Sequence, residues 1–102
     1  MGKLVRDRIP EIIRSNGETP AVRHLETAEY EEALHEKLLE EAAELRNAST
    51  PDNRIEEAAD VIEVVLGIAE FHGFTVSDDL RIAEKKRAAR GGFAARIWLD
   101  QS

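Results

Sequence analysis

Apolar residues recur at helical spacing along most of the chain. Between Thr27 and about Asn47, the residues Leu34, Leu38 and Leu45 fall within about 40° of one another at roughly 100° per residue, which predicts an amphipathic helix with Thr27 as its N-cap. Glu41 stands in the middle of that stripe, Glu44 and Lys37 lie on its shoulder, and Glu40 sits further round. Ala48-Ser49-Thr50-Pro51-Asp52 reads as a loop. Asn53 and Glu56 have capping-box spacing for a second long helix, which runs to about His72 and stops at Gly73. That helix is apolar on two sides. Ile55, Ala58, Ala59, Ile62, Val65, Leu66 and Ala69 make one stripe, and Val61, Val64 and Ile68 make another. The short connection favours two antiparallel neighbours.

Two flanking helices complete the pattern. Pro10 fits the first turn of a short helix with an apolar face of Ile9, Ile12 and Ile13, ended by Gly17. Ser77 is the expected cap of a last helix, with Asp78 and Asp79 suiting its N-terminal dipole and Gly91-Gly92 its end. Thr19-Pro20 marks a loop and Ala21 to Leu25 a short extended segment; Phe93 to Leu99 reads as a short strand or as irregular chain. The fold class is therefore all-α, a compact bundle of about four helices around a central antiparallel pair. A helix apolar on two sides wants more cover than 102 residues offer, so a homo-oligomer is expected. Phe93 and Trp98 read as core or interface rather than as a base-stacking platform.

The acids on the two long helices change the picture from fold to chemistry. Glu41 and Glu44 on one helix, and Glu57 and Asp60 on the other, are spaced i and i+3. Glu56, Glu63 and Glu70 recur every seven residues in a polar seam and read as solvated, whereas Glu57 and Asp60 extend the second apolar stripe. Each helix thus aims two carboxylates at a buried face. Such a gathering raises its own pKa values unless cations sit within it, and oxygen-only ligands favour Mg²⁺ first and then Mn²⁺.

Composition narrows the partners. Lys plus Arg total 14 against 21 Asp plus Glu, a net charge of −7, which argues against nonspecific binding to nucleic acid or anionic membrane. No apolar run approaches the ~20 residues of a membrane span, and Met1 to Arg6 lacks a signal-peptide core, so a cytoplasmic location is the expectation. There is no cysteine, hence no disulfide or thiolate metal site. Two basic clusters each admit two readings. Lys3, Arg6 and Arg8 are solubilising charge or an anion contact. Lys86 and Arg90, at i and i+4, either complement the helix C-terminus or point together at a phosphate. His24, His35 and His72 are scattered. Glu32-x-x-His35 is a single copy of a motif that a di-iron bundle needs twice.

Taken together, these residues resemble a known family. Glu41-x-x-Glu44, a spacer, then Glu57-x-x-Asp60 looks like the signature of the MazG-like, all-α nucleoside triphosphate pyrophosphohydrolases, with Lys37-Leu38 placed as in that family. Lys3-Leu4-Val5-Arg6-Asp7-Arg8-Ile9-Pro10 and Lys86-x-x-x-Arg90-Gly91-Gly92-Phe93 are similar to its phosphoribosyl-ATP pyrophosphohydrolase-like branch. The resemblance covers nearly the whole chain. It implies Mg²⁺-dependent cleavage between the α and β phosphates of a nucleotide, and a homodimer or homotetramer with its site near a subunit interface. By carry-over Glu41, Glu44, Glu57 and Asp60 would hold the metal, which would bridge an acidic protein to a polyanionic substrate. Glu41 is the expected proton acceptor. Lys37, expected to be catalytic with Glu41, and Lys86 and Arg90, then Arg6 and Lys3, are the expected phosphate contacts that stabilise the charge on the departing pyrophosphate. The contrasting expectation is a non-catalytic helical dimerisation or regulatory module.

Overall fold

A computed structural model describes residues 2–100 as four helices: α1 (Ile9–Ser15), α2 (Thr27–Asn47), α3 (Pro51–His72) and α4 (Val76–Arg90). Among the described residues there is no strand. The single domain expected over residues 1–102 also takes in Met1, Gln101 and Ser102, which lie outside the described residues.

Helices α2 and α3 make the most extensive helix contact, joined by Ala48 to Thr50. Tyr30 near the start of α2 meets Phe71 near the end of α3, edge to face with ring centroids 5.7 Å apart. Further along, Leu34 lies against Gly67, where an added Cβ would stand 3.1 Å from Leu34 Cδ2. Glycine in mid-helix costs about 1 kcal/mol relative to alanine; here it makes room for Leu34, one of the most buried side chains. The buried apolar core is Leu34, Val64 and Ala69. Helix α4 comes into close backbone contact with α3 alone, and besides these two pairs, α2 with α3 and α3 with α4, no helices do so among the described residues.

Several helix ends differ from the sequence expectation, for local reasons. Helix α2 starts one residue early: Glu26 is the N-cap, and its N–H donates to the Glu29 carboxylate at 3.3 Å. Thr50 rather than Asn53 caps α3. Pro51 takes the first helical position, where no N–H is needed, and the Asn53 N–H donates to Thr50 Oγ1 at 3.1 Å. Thr75 rather than Ser77 caps α4, in a reciprocal box with Asp78. Gly73 ends α3 in the left-handed conformation at φ 81°.

Residues Ala21 to Leu25 adopt no regular structure. Phe93 to Leu99 is irregular, because Arg96 turns back at φ 58° and donates its N–H to the Phe93 carbonyl. Phe93 is 99% exposed and Trp98 85%, so neither belongs to the core of this chain.

Candidate metal centre

Helix α2 carries Glu41 into the interface with α3, where the residue is 6% exposed. Glu44 follows one turn later at a more open position, and Glu57 reaches in from the first half of α3. One carboxylate oxygen from each of the three lies within 4.8 Å of the others. Two oxygens on one Mg²⁺, each at roughly 2.1 Å, are at most about 4.2 Å apart. Small side-chain rotations therefore suffice to bring three hard oxygen donors onto one ion.

The polar atoms around Glu41 are only partly satisfied. Lys37 Nζ stands 3.2 Å from Glu41 Oε1 and donates to Glu40 Oε1 at 3.3 Å. Glu41 Oε2 and Glu57 Oε2 are buried and have no hydrogen-bond partner. Burial pushes the Glu41 carboxyl above the usual range and the nearby Glu44 charge adds to this, while Lys37 opposes it. Burial also works against the Lys37 charge, but its bonds to Glu41 and Glu40 together outweigh that and raise its pKa. A buried carboxylate oxygen with no donor is a place where a cation lowers the energy. The donor set and its unmet oxygens fit a hard divalent ion.

Asp60 lies outside this group. It follows Glu57 by one turn, yet its Oδ1 accepts from the Arg6 guanidinium at 2.6 Å. A second Arg6 nitrogen lies 3.7 Å from Glu63 Oε1. These contacts hold Arg6 against α3, and residues 4–8 line one side of an open groove of about 440 Å³, whose walls include Arg6, Arg8, Tyr30, Lys37, Glu41 and Asp60. Of the basic residues expected to meet phosphate, Arg6 and Lys37 therefore stand at the cavity. Lys3, Lys86 and Arg90 are exposed and do not line it.

Two participants escaped the sequence reading. Glu63, read as solvated, is exposed but sits beside Arg6, and Tyr30 forms part of the cavity wall. No local spacing could have indicated either, since both depend on where the N-terminal segment crosses the helix pair. The Glu32 and His35 pair is exposed, and His72 lies 3.7 Å from Glu31 within an aromatic cluster. Among the described residues, Glu41, Glu44 and Glu57 form the one group of potential metal ligands. No helix of the described residues is long and apolar enough to cross a membrane.

Comparison with known proteins adds little to this geometry. No family model matches the chain, and no solved structure matches it. An uncharacterized protein of Mycolicibacterium smegmatis is 57% identical over 56 residues, which are 55% of this chain and 57% of the relative. The chain thus spans less than two thirds of the length of the curated relative it matches.

Proposed function

We propose that this protein is a Mg²⁺-dependent nucleotide pyrophosphohydrolase of the MazG-like kind, with Mn²⁺ as a substitute ion. It cuts the α–β anhydride of a nucleoside triphosphate or related nucleotide. Water adds across that bond: a P–O bond to the water oxygen forms, the anhydride P–O bond breaks, and a monophosphate and pyrophosphate leave. The observation that carries the reading is the convergence of Glu41, Glu44 and Glu57 with two buried carboxylate oxygens that lack any partner. The order of contacts from Tyr30–Phe71 to Glu41–Glu57 supports an antiparallel α2–α3 pair as the platform.

Glu41, Glu44 and Glu57 would hold the ion, and Asp60 would join them on parting from Arg6. The bound ion supplies charge neutralisation for phosphate oxygens and a lowered pKa for water. Glu41 is also the residue we assign to accept the water's proton. Lys37 stays protonated beside it and faces the charge that builds on the departing pyrophosphate. Arg6 lines the same cavity and supplies a second cationic contact. Lys3, Lys86 and Arg90 contribute from a second subunit or after movement of their segments. A nucleotide pool in the cytoplasm is the setting we assign.

A second reading, a non-catalytic helical dimerisation or regulatory module, is favoured by one observation. Lys37 pairs with both Glu40 and Glu41, as in a structural ion-pair network. The deciding experiment is pyrophosphate release from a panel of canonical, deoxy and modified nucleoside triphosphates, with Mg²⁺ and with Mn²⁺. The enzyme reading expects turnover of at least one nucleotide that stops on chelation. Folded protein that turns over none of them supports the module.

A further inference from the structure

We propose that Arg6 is a built-in competitor of the divalent cation: it holds Asp60 away from the Glu41, Glu44 and Glu57 group, so the segment of residues 4–8 acts as an exchangeable clasp on the α2–α3 groove. The inference rests on the metal-binding reading above. Asp60 lies one helical turn beyond Glu57 and so shares its side of α3. Its Oδ1 is nevertheless committed to Arg6 at 2.6 Å, with Glu63 at 3.7 Å on the other guanidinium arm. One cation thus already neutralises the carboxylate that would complete a four-acid site.

The clasp is built to let go. The Arg6 and Asp60 side chains are 55% and 38% exposed, and ion pairs this open are weak. A guanidinium binds phosphate through the same fork geometry as carboxylate, so an arriving phosphate can take Arg6 from Asp60 without leaving it unpaired. Asp60 is then released towards Glu57 and its neighbours. The segment also contributes Leu4, Val5 and Arg8 to the cavity wall, so the exchange changes how the groove is covered. Two cations that compete for one carboxylate weaken each other reciprocally. Removing Arg6 must therefore tighten metal binding.

The test is isothermal titration of Mg²⁺, and separately Mn²⁺, into the full chain as wild type, Arg6→Gln, Arg6→Lys and Arg8→Gln, with circular dichroism to verify the fold of each. Arg8 pairs with Glu11 at 3.3 Å rather than with Asp60, so Arg8→Gln removes the same charge from the same segment without opening the clasp. Arg6→Gln is expected to bind the ion about two- to fivefold more tightly than Arg8→Gln, as the strength of an open ion pair implies, with Arg6→Lys close to wild type. Equal affinities in Arg6→Gln and Arg8→Gln would overturn the clasp and leave the metal site standing. No binding by any of the four folded proteins would overturn both.

Discussion

A buried carboxylate costs several kcal/mol unless it is paired or hydrogen-bonded, and Glu41 is answered on one oxygen only. Lys37 meets Oε1, and nothing meets Oε2 of Glu41 or of Glu57. Such an arrangement is stabilised by whatever cation completes it. For an ion that binds the folded form alone, the gain is about 2.7 kcal/mol at a hundredfold excess over Kd. Thermal unfolding with and without Mg²⁺ should show that gain in the wild type. Glu41→Gln and Glu57→Gln should each lose most of it, together with at least about a hundredfold in nucleotide turnover, since even residues behind a ligand cost ten- to a hundredfold. Glu56→Gln, on the exposed seam of the same helix, should behave as wild type. Glu57→Gln that abolishes turnover but keeps the whole Mg²⁺ increment would remove Glu57 from the metal site. The burial of Glu41 was legible in its place at the centre of a leucine stripe. The Arg6–Asp60 bond was not, because 54 residues separate the partners and no periodicity spans them.

The helices themselves were legible, α1 to α3 from their apolar spacing and α1, α3 and α4 from the glycines that follow them; their first turns were less so. Asn53 and Ser77 were the expected caps, and in each case a threonine a few residues earlier takes the role, a residue type that caps well too. At α3, Pro51 settles it by fitting the first helical position. At α4, Asp78 stands three residues after Thr75 and closes the box from both sides: the Thr75 N–H donates to Asp78 Oδ2 at 3.0 Å, and the Asp78 N–H donates to Thr75 Oγ1 at 3.2 Å. These bonds from the Thr75 backbone and hydroxyl, aided by Arg81, hold the Asp78 carboxyl below its ordinary value. A lowered acid stabilises the folded form above its unfolded pKa, and that contribution is lost as pH falls through the folded value. The first turn of α4 should therefore lose helical Cα chemical shifts on acidification below the ordinary carboxylate range. Asp78→Ala should show the loss already at neutral pH, with little further change in acid. Because α4 leans on α3 alone, little tertiary packing masks the effect. An acid response of that turn unchanged by Asp78→Ala would assign it to another group.

At the scale of the molecule, α2 and α3 pack well but leave much uncovered. The accessible surface is 9093 Å² for an 11.4 kDa chain, where a folded monomer of that mass exposes about 5,800 Å². The radius of gyration is 17.3 Å against about 13 Å for a single domain of this length. Part of that surface is apolar. Ile55 and Ile62 are 70% and 56% exposed on one stripe of α3 with Ala59 between them, at i, i+4 and i+7 spacing. A stripe of that kind is what one helix presents to another. The two apolar sides of α3, legible in the sequence, are thus unequally covered within the chain: Val64 is buried on one, while the other is buried at Ala69 and open at Ile55 and Ile62. Association through the open side would bury it. Light scattering coupled to size exclusion should then give a mass that is a multiple of 11.4 kDa. Ile62→Asp should shift that mass towards one chain. Burying an isoleucine is worth about 1.5–3 kcal/mol and a two-fold interface counts it twice, so the dissociation constant should rise by at least about a hundredfold. His35→Asp, at an exposed position on the other helix, α2, serves as the control and should leave the mass unchanged. A monomeric wild type at micromolar concentration, with Ile62→Asp indistinguishable from it, would mean that the α3 stripe stays open to water.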